Sequence, residues 1–184
     1  MSKIGVFFAP GYEEIEALTV VDLCRRAGIE TIMVSVTGEK KVMGSHGIDV
    51  GMDQVFEEVD FERLDMIVLP GGLPGTTNLE AHRGLMERTD RFYESGKGVA
   101  AICAAPSIFG HRGYLKGRNA CSYPSFESHL EGAKVSSRSV EVSDHVITSR
   151  GMGCAIDFGL AIVERFCGKA KAGELAGGII YSAG

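Results

Sequence analysis

Continuous apolar runs and runs with a helical period alternate along this chain. Residues 3–9, KIGVFFA, are apolar at nearly every position and are closed by Pro10-Gly11, which is typical of a strand buried on both faces. From Glu14 the period changes, and Gly28 follows the last turn as a helix stop. The apolar positions at i, i+3, i+4 and i+7 are Ala17, Val20, Val21 and Cys24. This segment is therefore predicted to be an amphipathic helix.

The alternation continues to the C-terminus. Further strands are predicted at residues 30–37 and 64–72 and in KGVAAIC and NACSY, with hairpins in KKVMGSHGIDVGMD, turning at Gly44 to Gly47, and in SVEVSDHVITSRG. Helices are predicted in LEAHRGLMERTDRFYESG, ending near Gly96, in AAPSIFGHRG, in CAIDFGLAIVERFCG, and as a short last helix in KAKAGELAGGIIYSAG. Buried strands that alternate with helices indicate an α/β fold with a parallel sheet, whose ligands bind beyond the carboxyl ends of the strands.

Composition and charge narrow the class of protein. The chain has 184 residues, of which 45% are hydrophobic and 23% charged, with no repeat or linker, so one domain over residues 1–184 is expected. A net charge of -5 without a cluster of basic residues argues against a nucleic-acid partner. The apolar run at the N-terminus is too short for a signal peptide or a membrane span, so a cytoplasmic protein with no membrane partner is expected.

Five cysteines, an odd number without a CxxC pair, favour reduced thiols and argue against a zinc site or any other metal. Cysteine is among the residue types most often buried. Burial is therefore the simplest interpretation of the four cysteines outside the motif discussed below, which are Cys24, Cys121, Cys154 and Cys167.

Three groups of residues follow predicted strands. After the first strand, Glu13, Glu14 and Glu16 crowd the start of a helix, where acids complement the helix dipole. Their spacing does not let all three point the same way. One carboxyl can face inward, with its pKa raised by burial, and hydrogen-bond a thiolate or carry a proton.

A buried strand ends in Pro70-Gly71-Gly72. Paired glycines let backbone N–H groups approach an anion or oxyanion, although an ordinary glycine-rich turn has the same pattern. The chain has neither GxGxxG nor GxxxxGK[ST], so no nucleotide cofactor is indicated.

Cys103 stands where the strand GVAAIC meets a short helix. A thiol on such a strand-to-helix turn is exposed at the top of the sheet near the positive end of a helix, which lowers its pKa. Small neighbours such as Ala104 make the tight turn sterically possible. The alternative is one more buried cysteine.

The stretches EEIEA, VLPGG and AAICAAPSIF, with TSRGMGCAIDFGLAIVE near the C-terminus, together resemble the ThiJ/PfpI superfamily and, within it, the DJ-one-like group. The resemblance runs in order from Gly5 to about Gly168. It implies a flavodoxin-like three-layer sandwich with a mostly parallel central sheet, as in class I glutamine amidotransferases, no cofactor, and commonly a homodimer. By position it assigns the reactive cysteine to Cys103, the glutamate that contacts it to Glu16, and the oxyanion pocket to the backbone of Gly71, Gly72 and Ala104.

The chain departs from the pattern at two positions. In the protease-like branch a histidine follows the cysteine, whereas Ala104 follows it here, which argues against peptide hydrolysis. Several relatives carry a histidine before the proline of YPSFE, where this chain has Tyr123. A phenol is a poor general base at neutral pH but can donate a hydrogen bond. By the same resemblance His46 takes the position of a pocket arginine, although a histidine in a surface loop is the simpler interpretation. Arg26 takes that of a helix arginine near the pocket, although a charge at a helix C-terminus explains it equally simply.

These residues support two functions of different classes. The first is a cysteine-dependent glyoxalase or deglycase that acts on methylglyoxal, a related small carbonyl, or a glycated protein. The second is a redox sensor or holdase chaperone in which Cys103 is oxidised to a sulfinate. Peptidase or amidase activity is a third alternative. The sequence leaves the natural substrate open.

Overall fold

The computed structural model describes residues 2–182, in which a seven-stranded sheet lies between two layers of helices. The strands are β1 (Lys3–Phe8), β2 (Glu30–Ser35), β3 (Lys41–Met43), β4 (Asp49–Gly51), β5 (Gln54–Val55), β6 (Met66–Leu69), β7 (Gly98–Ile102), β8 (Asn119–Ala120), β9 (Lys134–Val135), β10 (Val140–Ser143) and β11 (Val146–Ser149). The α-helices are α1 (Glu14–Arg26), α2 (Gly75–Ala81), α3 (Arg83–Glu94), α4 (Pro106–His111) and α5 (Ala155–Gly178). Short 3-10 helices occupy Phe56–Glu58, Phe61–Arg63, Pro124–His129 and Met152–Cys154.

The strand order in the main sheet is β10-β11-β7-β6-β1-β2-β5. Every neighbouring pair is parallel except β10 and β11, which form the predicted antiparallel hairpin. The other predicted hairpin is β3 paired with β4. The predicted α/β fold with a mostly parallel sheet is confirmed, and the carboxyl ends of β1, β6, β7 and β11 meet at one edge.

Side-chain alternation along β1 separates the two faces of the sheet. Ile4, Val6 and Phe8 belong to one apolar cluster, which α1 and α5 cover. Phe7 belongs to the other, to which α2, α3 and α4 contribute. Two cores on opposite faces of a fully buried central sheet give the three-layer arrangement.

The prediction of one long helix before Gly96 is wrong, because the structure has two helices there, α2 and α3. His82 is the break: its backbone is extended, and its Nδ1 accepts a hydrogen bond of 3.0 Å from the Leu85 N–H, so the imidazole caps α3. Such a cap is not recognisable from the usual Ser, Thr, Asp and Asn preferences.

The two helices expected at the C-terminus are joined in α5, with a non-helical residue at Gly168 (φ 84°) between them. The last residues of the expected final segment, 183 and 184, lie outside the described residues. Within residues 2–182, none of the helices has the length and apolar character needed to cross a membrane.

Candidate active site

Cys103 lies between β7 and α4 in a conformation that non-glycine residues rarely adopt, with φ +65°. Its backbone N–H donates to the Ser149 carbonyl (2.9 Å), and its own carbonyl accepts from the Tyr123 N–H (2.8 Å). A left-handed residue of this kind costs about 1–3 kcal/mol, and it persists where the surroundings hold it. The end of β11 and the segment before Pro124 therefore fix the elbow that directs the sulfur away from the sheet.

Glu16 reaches the elbow from the first turn of α1. Its side chain is buried, the Gly71 N–H donates to its Oε2 at 2.9 Å, and its carboxyl lies beside the Cys103 thiol, so that each group shifts the pKa of the other. The inward-facing carboxyl expected among the three acids is therefore Glu16. Glu14 is buried as well, on another side of the helix, which the dipole interpretation of this residue did not anticipate.

Gly71 makes this approach possible because it has no side chain. A Cβ at this position would lie 2.6 Å from both the Cys103 Cβ and the Glu16 Oε2. Since Glu16 takes the Gly71 amide, the amides that remain at the sulfur are those of Gly72 and Ala104, which favour its ionised form. Of the three backbone groups expected to form an oxyanion pocket, the Gly71 N–H is thus occupied by Glu16, and those of Gly72 and Ala104 are left at the sulfur.

Cys103 and Glu16 titrate as a coupled pair. Burial raises the pKa of Glu16 to about 7, against hydrogen bonds from Cys103 and the Gly71 amide. Burial also raises the pKa of Cys103 to about 12; a charged Glu16 adds to the rise, and the Ala104 and Gly72 amides oppose it. Interacting groups lose their protons in two steps that belong to the pair. Between these two values the pair therefore holds one proton and carries one negative charge.

The sequence predicted a lowered pKa for the Cys103 thiol, and this prediction is wrong for the state in which Glu16 is ionised. Burial and the neighbouring carboxylate then both oppose a thiolate. The situation changes when the shared proton lies on Glu16. The carboxylate charge is then absent, and the carboxyl O–H can donate to the sulfur together with the amides. A thiolate can therefore form by proton transfer within the pair.

A small open cavity of about 240 Å³ lies over the sulfur. Its lining residues are Gly72, Leu73, Cys103, Ala104, Tyr123, Ser125 and Phe126. Tyr123 is half exposed at its rim, and the described lining residues include no histidine, so the ionisable side chain beside the thiol is that of Glu16. An electrophile that enters this cavity meets the sulfur and the two free amides together.

His46 does not line this cavity. Its N–H donates to Glu14 Oε1 (2.8 Å), and its Nδ1 lies 3.0 Å from Glu14 Oε2 and 3.5 Å from Glu13 Oε2. The hydrogen bond with Glu14 and the charges of both acids raise the pKa of His46. In turn, the hydrogen bonds of His46 and Ser45 outweigh burial and lower the pKa of Glu14 to about 2. Glu13, Glu14 and His46 each offer an atom that could bind a metal, and these atoms lie within 4.8 Å of one another. The contacts above show that the three side chains pair with one another as a cluster of ion pairs.

Arg26 also lies away from the cavity. It pairs with Asp22 (2.8 Å) and lines a wide groove along α1.

The four cysteines other than Cys103 differ in exposure. Cys24 and Cys121 are buried as expected, whereas Cys154 is partly exposed and Cys167 is exposed, so the prediction of burial is wrong for these last two. Cys167 is exposed because it follows the helical turn of α5 that covers the sheet and directly precedes the break at Gly168.

Residues beyond those assigned a role by the resemblance also shape the site. The Ser149 carbonyl anchors the elbow, and a Cβ at Gly151 would lie 4.0 Å from the Cys103 Sγ. Both belong to the TSRG stretch, whose resemblance to the family pattern was the signal for them. Ser125 and Phe126 carried no signal, because their place at the cavity depends on the path of the chain after Tyr123.

Comparisons with known proteins agree with this architecture. The model of the DJ-1/PfpI family matches residues 2–165. The Drosophila melanogaster protein dj-1beta is 37% identical over 186 residues, 99% of each chain, and the Caenorhabditis elegans glutathione-independent glyoxalase DJR-1.2 is 32% identical over 164 residues, 89% of this chain and 87% of that one. The structure of oxidized Toxoplasma gondii DJ-1 superimposes with a TM-score of 0.95 at 33% identity and covers 100% of both chains.

Proposed function

The chain belongs to the DJ-1/PfpI family, and from this membership and the geometry at Cys103 we propose that it is a cofactor-independent enzyme for small reactive carbonyls. The substrate class is a 2-oxoaldehyde such as methylglyoxal, or its adduct with protein. The observation that carries the proposal is a sulfur that lies beside the buried carboxyl of Glu16, with its raised pKa, and faces two backbone amides and an open cavity. The name of the nematode relative, a glutathione-independent glyoxalase, points to the same class.

The proposed reaction converts methylglyoxal and water into lactate. The Cys103 thiolate attacks the aldehyde carbon, and the resulting oxyanion accepts hydrogen bonds from the Gly72 and Ala104 amides and then a proton. Glu16, having given its proton to the oxyanion, removes the proton from that carbon and returns it to the adjacent carbon. The hydroxyl proton passes to the former ketone oxygen, which turns the hemithioacetal into a thioester of lactate. Water hydrolyses the thioester and restores the thiol. The aldehyde carbon is oxidised and the ketone carbon reduced within one molecule, so no external oxidant is needed.

Lactate formation tests the proposal directly. The protein, incubated with methylglyoxal without glutathione or any added cofactor, is expected to form lactate in proportion to the methylglyoxal consumed, over many turnovers. A control with the protein alkylated at its thiols gives the uncatalysed rate. Consumption without lactate, or no more than one equivalent per chain, would show that the protein only traps the aldehyde.

A redox sensor or holdase is the second candidate. It is favoured by the two amides at the sulfur, which can stabilise an anionic sulfinate, and by the absence of a histidine among the described cavity residues. The Toxoplasma gondii structure is of an oxidized form. Mild peroxide is then expected to add two oxygens at Cys103 alone, as measured by intact and peptide mass spectrometry. Oxidation of exposed Cys167 at least as fast as Cys103 would argue against the sensor.

A peptidase or amidase is the weakest of the three functions, since Ala104 stands where the protease-like pattern has its histidine.

We also propose that the protein is cytoplasmic. This location is supported by the five cysteines, each a free thiol in the structure, which fit a reducing compartment.

We also propose that a second copy of the chain covers the groove along α1. The groove has a volume of about 610 Å³, and its apolar lining residues are Ile15, Leu18, Leu23, Ile48, Ile156 and Ile179. Ile15 is 50% exposed and Ile48 53%, which is unusual for large apolar side chains gathered in one place.

Substitution on this face tests the dimer. Ile15→Glu is expected to convert a dimer into a monomer in light scattering after size exclusion, because a charge would be buried at the contact. Val142→Glu, at a similarly exposed apolar residue on β10, is the matched control and is expected to stay dimeric. A wild-type protein that elutes as a monomer at micromolar concentration would contradict the proposal.

A further inference from the structure

Two histidine rings face each other outside the candidate active site. The Nε2 of His111, at the end of α4, lies 3.1 Å from the Nδ1 of His129, the last residue of the 3-10 helix Pro124–His129. On the far side of the first ring, the His111 Nδ1 lies 2.7 Å from the Glu80 Oε1 of α2. We propose that His111 and His129 form a binding site for a divalent transition-metal ion of the zinc class, with Glu80 as its positioning carboxylate.

The carboxylate determines which nitrogen of His111 can bind a metal. Glu80 can only accept when ionised, so the His111 Nδ1 carries the hydrogen and its Nε2 directs a lone pair toward His129. Without an ion the His129 Nδ1–H donates to this lone pair; a metal ion takes the place of that hydrogen when the His129 ring carries its hydrogen on Nε2 instead. Histidine ligands in metal sites usually donate their second N–H to a carboxylate in this way. The His111–Glu80 pair therefore has the arrangement of a metal ligand with its supporting group.

The separation of the two facing nitrogens fits a shared ion. Two nitrogens that each lie about 2.0–2.1 Å from a tetrahedral zinc ion are about 3.3 Å apart, close to the 3.1 Å between His111 and His129. The rings are also nearly perpendicular, at 74° with centroids 5.2 Å apart, so both nitrogens can point at one ion without stacking. Both residues are exposed, which leaves the remaining coordination positions open to water. Imidazole ligands suit zinc, copper and nickel rather than calcium or magnesium.

The backbone holds the two histidines at this separation. A Cβ at Gly110 would overlap the carbonyl oxygen of His129, so α4 approaches the 3-10 helix at a distance that only glycine allows. Phe126 packs beside the His129 ring, with centroids 5.8 Å apart. The pair is thus built on rigid contacts and does not depend on two flexible surface side chains meeting by chance.

The site would join the three segments that form the candidate active site. α2 follows the Gly72 loop, α4 follows Cys103, and the 3-10 helix follows Tyr123; the three segments carry Glu80, His111 and His129. The residues just before α2 and α4, and those at the start of the 3-10 helix, line the cavity over the sulfur. A metal ion would therefore tie together the elements behind all three walls of that cavity.

Side-chain NMR of 15N-histidine-labelled protein titrated with zinc chloride tests the proposal. One equivalent of zinc is expected to shift the His111 Nε2 and His129 Nδ1 signals and to leave those of His46, His82 and His145 unchanged. This readout is insensitive to zinc held by exposed thiols. The proposal would be overturned if zinc shifted the His46 signals first, or if millimolar zinc shifted neither the His111 nor the His129 signals.

Matched variants separate the site from the acidic cluster at His46. By calorimetry, His129→Gln and His111→Gln are each expected to weaken zinc binding at least tenfold, and Glu80→Gln by about 10–100-fold because it loosens the ligand orientation. His46→Gln is expected to bind zinc as the wild type does. Equal affinity in all four variants would show that the two rings only share a hydrogen bond.

Discussion

Cys103→Ala is expected to lower the rate of lactate formation from methylglyoxal at least about a thousandfold, because the step that forms a carbon–sulfur bond has no substitute in the cavity. Alanine is close in size to cysteine, and the backbone bonds that hold the elbow come from Ser149 and Tyr123, so the variant keeps the fold. The loss should appear in kcat, since the remaining lining of the cavity is unchanged.

Cys167→Ala is the matched control for this substitution. It removes an exposed thiol at the end of the first part of α5, away from the cavity, and is expected to leave the rate unchanged. If Cys103→Ala keeps more than a tenth of the wild-type rate, the covalent mechanism is wrong. If both variants lose activity equally, the assay is reporting general thiol chemistry.

Glu16→Gln is expected to remove activity and, above neutral pH, to stabilise the protein. The pKa of Glu16 is about 7 in the folded protein against an ordinary value of 4.5, so the folded state binds more protons between these values. The free energy of unfolding of the wild type therefore falls as the pH rises from 4.5 to about 7 and then levels off. The shift corresponds to about 3 kcal/mol, at about 1.4 kcal/mol for each pKa unit. Glutamine does not ionise, so the variant lacks this loss.

The measurement is urea unfolding of both proteins at several pH values from 4 to 8, beside the rate of lactate formation. The stability difference between variant and wild type should increase over this range, while the rate falls about a hundredfold or more because the proton carrier is gone. Glu14→Gln is the matched control: the pKa of Glu14 is lowered to about 2, so its contribution is lost only as the pH falls below 4.5. Parallel stability curves for the wild type and Glu16→Gln would refute the raised pKa.

The pattern of the sequence was sufficient for the order of strands and helices because buried parallel strands are apolar on both faces, as β6 and β7 are. It was not sufficient where a single side chain decides the local structure. The break at His82 depends on an imidazole cap, and the exposure of Cys167 depends on where α5 leaves the sheet. Neither is visible in hydrophobic periodicity.

In the candidate site, the spacing of the three acids did not show which of them faces the cysteine. The structure shows that it is Glu16, because Gly71 offers both an amide and the space for its carboxylate. The direction of the thiol pKa could not be predicted from the elbow motif. It depends on burial and on a charge carried by a residue 87 positions away in the chain. The resemblance predicted that His46 and Arg26 lie near the cavity. In the structure His46 pairs with Glu14 instead, and Arg26 lines the groove along α1.

The central claim is that Cys103 and Glu16 share one proton, and the pH dependence of Cys103 alkylation tests it most directly. The rate of reaction with iodoacetamide, followed at Cys103 by peptide mass spectrometry, is expected to rise with a midpoint near 7 in the wild type, where the pair loses its first proton. In Glu16→Gln the midpoint is expected to move upward by a unit or more, since burial opposes the thiolate and the carboxyl proton is absent. Identical midpoints in the two proteins would contradict the account.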